Sequence, residues 1–266
     1  MKGFCEVDEG KIYFETHGKG ETLVMLRGLG RSMRYWLGYE KQLAKSFRVV
    51  LIDARGLGKS TAPMHWHHTI EHLAEDVLAV LNHLKVKKFH VFGLSLGGMV
   101  ALSLAIQKPK AVKSLMVANS STADYIGMRM QLSAVKSLGM GLLQGHFYEE
   151  LLRRVVPPAT VRSRGPEILQ QWDEIVEAEG FPVPTIAKQL LASARFRIRG
   201  KLAGDEVPTL ILYATQDRLV STNNSKQIHK LIPHSKIKAV KGAGHEIAIG
   251  HEDELTRIIQ AFTGQV

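Results

Sequence analysis

Apolar positions in the first half of the chain fall into short runs separated by longer stretches of helical spacing. Residues 4–7 and 11–17 flank Asp8-Glu9-Gly10, a turn signal, and together predict a β-hairpin. Residues 22–27 and 47–52 are runs of the kind that buried strands show. The first ends in Gly28-Leu29-Gly30, and the second in Asp53 and the loop Arg55-Gly56-Leu57-Gly58-Lys59-Ser60. Ile70, Leu73, Val77, Val80, Leu81 and Leu84 then recur at helical spacing, with Thr69 placed to cap the helix. A strand over 88–92, a helix over 96–107 stopped by Pro109 and a strand over 112–117 complete this half.

The pattern changes at Ser120. Up to Gly204 there is no convincing strand, and short helical patterns are interrupted at Gly139, Gly141, Pro157-Pro158, Gly165-Pro166 and Pro182. Strands over 209–213 and 237–240 and helices over 221–231 and 252–262 follow. Alternating strands and helices on both sides of a helical insert predict an α/β fold, with a mostly parallel central sheet flanked by helices. The expected division is a core over 1–119 and 205–266 and a helical cap over 120–204, inserted after the sixth strand.

Composition narrows the class without naming a function. The 266 residues are 45% hydrophobic and 23% charged, which excludes a disordered chain. Thirty-five Lys and Arg against 25 Asp and Glu leave a net charge of +10. The cations are spread along the chain with no aromatic-interleaved block, so a nucleic-acid partner is not expected. Cys5 is the one cysteine, so no internal disulfide can form, and a cytoplasmic setting is expected. Neither a secretory signal nor a run long enough for membrane insertion is apparent.

The strongest chemical signal is Gly93-Leu94-Ser95-Leu96-Gly97-Gly98, set between a strand and the helix that follows it. A sharp strand-to-helix turn strains the serine backbone, excludes side chains beside it and aims the helix N-terminus at its oxygen. A tight packing turn is the alternative. A nucleophilic serine needs a base, and the base needs an orienting acid. His245, in Gly242-Ala243-Gly244-His245, follows the last strand, and Asp217 follows the strand over 209–213. Both belong at the carboxyl edge of a parallel sheet, where Ser95 also belongs. Otherwise His245 would cap a helix and Asp217 would be a turn residue. Asp205 and Glu206 are fallback acids, although they precede their strand.

These motifs, with Asp53-Ala54-Arg55-Gly56-Leu57-Gly58-Lys59-Ser60 and Val207-Pro208, resemble the α/β-hydrolase superfamily. The resemblance is to its branch of small esterases, enol-lactonases and pimeloyl-carrier-protein methyl esterases, and it covers nearly the whole chain outside the cap. It implies hydrolysis of a small carboxylic ester or lactone through a Ser95–His245–Asp217 triad, without cofactor or metal. An acidic acyl carrier protein is a further partner it allows. It also implies an oxyanion hole made by the backbone N–H groups of Leu29 and Leu96. A ligand sensor with slow turnover and a C–C bond hydrolase remain open, because both use the same triad. Epoxide hydrolases and haloalkane dehalogenases carry Asp where this chain has Ser95.

One position departs from the family pattern: Arg27-Gly28 stands where His-Gly is usual. Arg27 could meet a substrate carboxylate or be bonded to loop carbonyls or a nearby acid. In the cap, Met128, Met130, Met140, Phe147 and Tyr148 could wall a pocket over Ser95 or form the cap's own core. Arg195, Arg197 and Arg199 alternate along one segment and could face an acidic partner or solvent. His68 and His72 stand four apart in a histidine-rich stretch, but no acid or cysteine completes a metal site.

Overall fold

The computed structural model describes residues 1–125, 130–202, 204 and 207–264, with the backbone only at Leu142. The chain opens with a hairpin of β1 (Lys2–Val7) and β2 (Gly10–His17), followed by β3 (Thr22–Leu26). A 3₁₀ turn (Met33–Trp36) and α1 (Tyr39–Leu43) lead into β4 (Arg48–Ile52) and α2 (Ile70–His83). Then come β5 (Phe89–Leu94), α3 (Leu96–Gln107) and β6 (Val112–Ala118). Four helices follow β6: α4 (Leu132–Gln144), α5 (Phe147–Val155), α6 (Pro158–Glu179) and α7 (Val183–Arg195). The last elements are β7 (Thr209–Ala214), α8 (Asn223–Leu231), β8 (Lys236–Val240) and α9 (Glu252–Thr263).

The strands form one sheet in the order β1-β2-β4-β3-β5-β6-β7-β8. Pairing is antiparallel from β1 through β2 to β4 and parallel from there onward. Alternation along each strand sends side chains to opposite faces. Val24 and Leu26 of β3 pack under α2, α3 and α8, whereas Leu23 and Met25 pack under α1 and α9. Helix α3 is buried continuously from Leu96 to Ala105, which explains why it shows no polar stripe. The helix behind the serine is therefore held on all sides.

A third apolar cluster seats the inserted helices. Leu152, Val155, Ile168, Trp172 and Ile175 pack with Tyr35 of the 3₁₀ turn and Ile249 of the last loop. The break expected at Gly165-Pro166 does not occur; α6 runs through it. Pro166 removes one backbone hydrogen bond, but Ile168, Trp172 and Ile175 share one helix face and their burial holds the helix together.

Candidate active site

Two turns meet because β3 and β5 are neighbours, with Leu26 opposite Gly93. This is the point where strand order reverses, and it opens a crevice at the carboxyl edge of the sheet. Ser95 sits there at φ 57°, ψ −119°, a conformation costly for a residue with a side chain. Its backbone is fixed by three hydrogen bonds: Ser95 N donates to Ala118 O at 2.9 Å, Gly98 N to Ser95 O at 2.9 Å and Ser120 Oγ to Ser95 O at 2.7 Å. The flanking glycines are required by close approach. A Cβ at Gly93 would collide with the Gly97 carbonyl, and one at Gly97 with the Leu26 carbonyl.

Asp217 follows β7 and His245 follows β8, at the same edge. His245 Nδ1 lies 2.7 Å from Asp217 Oδ2, with both residues buried. A carboxylate can only accept, so Nδ1 carries the proton and Nε2 is left as the basic nitrogen. Asp217 Oδ1 accepts from Leu219 N at 2.9 Å and Val220 N at 2.8 Å, which fixes the carboxylate plane. Burial alone would lower the His245 pKa; the charge and hydrogen bond of Asp217, helped by Glu246, outweigh it and raise it. Ser95 and His245 line one cavity of roughly 550 Å³, and among the described residues no hydrogen bond joins them.

Leu29 and Leu96 line the same cavity. Leu96 is the first residue of α3, so its N–H has no acceptor within the helix. In the facing turn, Gly30 N donates to Gln189 Oε1 at 2.9 Å and Arg31 N to Gly28 O at 3.3 Å. Among the described residues the Leu29 N–H has no such acceptor. A Cβ on Gly28 would stand 3.2 Å from Ser95 Cβ, a measure of how near the two turns come. The Asp53 loop braces this region from below. Asp53 accepts from Met33 N at 2.8 Å and Lys59 N at 2.9 Å, and Arg55 makes a two-point pair with Asp76, both contacts at 2.7 Å.

Of the two readings of Arg27, its placement agrees with the bond to a nearby acid. Its Nη2 donates to Glu246 Oε1 at 2.7 Å, its guanidinium lies 4.5 Å from the Trp36 ring centroid, and it is absent from the cavity wall. Among the described residues the arginine that lines the cavity is Arg31. Phe147, Tyr148 and Met130 line the cavity, Met140 is exposed, and Met128 lies outside the described residues, as do Asp205 and Glu206. Arg197 donates to Ala123 O at 2.6 Å and so braces the cap. His68 packs on the Arg55 guanidinium, where burial and that charge lower its pKa to about 4, and His72 Nδ1 accepts from the Thr69 N–H at 3.1 Å to cap α2.

Asn119, at φ 48°, closes the site from behind. Its Nδ2 donates to His245 O at 2.8 Å and Gly244 O at 3.2 Å, and its Oδ1 accepts from Ala214 N at 2.8 Å. It thereby ties the end of β7 to the histidine loop. Glu246 and Asn119 act across long sequence separations, and no local pattern marks either one.

Comparisons with known proteins agree with this architecture. A protein of Pseudomonas syringae pv. syringae (strain B728a) that carries the name carbamate hydrolase RutD is 26% identical over 247 residues, covering 92% of this chain and 95% of its own. One from Agrobacterium fabrum with the same name is 27% identical over 255 residues, covering 94% and 97%. The solved structure of the enol-lactonase from Burkholderia xenovorans LB400 superposes with a TM-score of 0.81 at 22% identity, covering 98% of this chain and 99% of that one. The family model described as alpha/beta hydrolase fold matches residues 21–140 and 168–252. With the sheet order and the turn at Ser95 already matching that architecture, the chain belongs to the α/β-hydrolase fold family.

Proposed function

We propose that this hydrolase cleaves carboxylic esters or lactones through an acyl-enzyme formed on Ser95. The observation that carries the reading is the buried Asp217–His245 hydrogen bond of 2.7 Å on the wall of the cavity that Ser95 also lines. His245 Nε2 takes the Ser95 proton as Oγ attacks the carbonyl carbon. Asp217 keeps the imidazole in the required tautomer and stabilises the imidazolium that forms. The N–H groups of Leu29 and Leu96 receive the oxyanion. His245 returns the proton to the leaving alkoxide, and a water molecule, deprotonated in the same way, releases the acid.

The names of the relatives extend the candidate substrates to carbamates, whose carbonyl the same serine would attack. The cavity wall is mostly apolar, with Phe147, Phe181 and Ile186 among the residues that line it with Ser95, which suits a hydrocarbon portion in the substrate. The test pairs a screen of p-nitrophenyl esters, lactones and carbamates with labelling by a fluorophosphonate. Ser95→Ala should abolish labelling and lower kcat by on the order of 10⁶-fold while the fold persists. Labelling that survives in the variant would place the nucleophile elsewhere.

A further inference from the structure

Among the described residues Arg31 has no counter-ion, and it lies on the wall of the cavity that Ser95 lines. It follows Leu29 by two residues on the turn beside Ser95, and it lines the cavity with Ser95, His245 and Glu246. Its guanidinium carbon lies 4.0 Å from the Tyr35 ring centroid and 4.5 Å from that of Trp172. Tyr35 belongs to the core and Trp172 to α6, so the group is held between two rings rather than free to sample rotamers. Among the described residues no carboxylate or carbonyl receives its N–H groups. The nearby Glu246 carboxylate is already bonded to Arg27 at 2.7 Å. The Glu246 carboxylate thus serves Arg27, and the Arg31 charge stands on the cavity wall with no ion pair among the described residues.

Arg31 is partly buried, and the two rings that flank its guanidinium take water away from it, which lowers its pKa and works against the unpaired charge. An anion supplied by the substrate would relieve that cost. A guanidinium offers a planar fork of donors that matches a carboxylate in shape. Elsewhere the wall is largely apolar, with Leu138, Phe147, Phe181 and Ile186 contributed by the cap.

We propose that Arg31 is a specificity-determining residue that selects esters or lactones carrying a carboxylate a few bonds from the scissile carbonyl, with the hydrocarbon portion lodged under the cap. The inference rests on the hydrolase reading above and adds the substrate class. It also relocates, from Arg27 to Arg31, the anion recognition that the basic oxyanion turn suggests.

The kinetic test compares monomethyl with dimethyl esters of succinate, glutarate and adipate. In the wild type the half-ester has the higher kcat/KM for at least one chain length. In Arg31→Gln the ratio of half-ester to diester falls about 10- to 100-fold, the span of a charge-assisted hydrogen bond, and Arg31→Lys restores part of it. If Arg31 serves only to bolt Tyr35 to Trp172, both rates fall together and the ratio is unchanged, which overturns the proposal. A wild-type ratio at or below one for every chain length overturns it as well.

A binding measurement stands apart from catalysis and needs no Arg31 variant. Calorimetry on Ser95→Ala compares succinate, glutarate and adipate with monocarboxylates of equal length. One carboxylate occupies the position of the reacting ester, and the second reaches Arg31. Tighter binding of a dicarboxylate supports the proposal even if no ester is ever turned over, a result that would sink only the hydrolase reading. Equal affinities at every length refute the assignment of Arg31 even if the wild type hydrolyses esters well.

Discussion

Glu246→Gln keeps the size and shape of the side chain that follows His245 and removes its charge. In the native structure Glu246 receives Arg27 at 2.7 Å, with side-chain exposures of 9% and 3%, so solvent does little to screen the pair. The variant leaves the Arg27 charge buried with the Trp36 ring beside it and with an Nε that already lacks a hydrogen-bond partner. Breaking a buried pair in this way costs about 3–5 kcal/mol. For a chain of this size that lowers Tm by on the order of 10 °C. Arg27→Met should cost a comparable amount by stranding the carboxylate. The double variant Arg27→Met/Glu246→Gln should be less destabilised than the sum of the two, because neither charge remains unpaired.

The sign of the pH effect follows from the same pair. Burial would raise the Glu246 pKa, but Arg27 more than offsets this and holds it below the ordinary carboxylate range. Its contribution is therefore full above the unfolded value near 4.3 and lost as pH falls through the lower folded value. The gap between wild type and Glu246→Gln in urea unfolding should narrow on acidification. Catalysis supplies a second readout. Glu246 raises the His245 pKa and Arg27 lowers it, so the acid limb of kcat/KM should move to lower pH in Glu246→Gln and to higher pH in Arg27→Met. Additive stability losses in the double variant, or acid limbs that move in the same direction, would refute this reasoning.

Asn119→Ala removes three buried hydrogen bonds and should cost about 2–4 kcal/mol in equilibrium unfolding; kcat should fall with it, because the histidine loop loses its tie to β7. Asp53 has its pKa raised by burial to about 6, so its contribution is full below the unfolded value near 3.9 and is lost as pH rises through about 6. Asp53→Asn cannot ionise, and the stability difference from wild type should therefore change between pH 4 and 6 and level off above. In the wild type, kcat/KM for a neutral ester should rise with pH through one ionisation above the ordinary imidazole value near 6.5. A profile flat from pH 5 to 9 would remove His245 as the base.

Local chemistry explains which features could be read from the chain itself. Apolar runs such as Val24 to Leu26 and Val49 to Ile52 sit in strands buried on both faces, so their pattern points directly to the sheet. The glycines around Ser95 and before His245 are short-range consequences of turns, and they mark where those loops lie. Arg31 carries no such mark, because its meaning depends on Tyr35 and on Trp172 far along the chain. Glu246 is equally silent, since its partner Arg27 is 219 residues away. The path of α6 through Pro166 was hidden because burial against Tyr35 and Ile249, a tertiary effect, overrides the local break.

The Asn119 clamp has a consequence for how this architecture can diversify. The chain leaves the sheet directly after Asn119 and rejoins it at Thr209, on the adjacent strand, where Ala118 lies opposite Leu212. The ends of the excursion are therefore fixed by core pairing, and doubling its length adds only about 0.6 kcal/mol of closure entropy. The ties from Asn119 to Ala214 and to the histidine loop involve core groups alone. Three contacts nevertheless cross from the excursion to the site: Gln131 Nε2 donates to Asp217 O at 2.7 Å, Glu246 N to Val155 O at 2.9 Å and Gly30 N to Gln189 Oε1 at 2.9 Å. A chimera that carries a foreign excursion between Ser120 and Pro208 can therefore reshape the pocket, but it must supply groups in place of Gln131, Val155 and Gln189 to keep the loops beneath aligned.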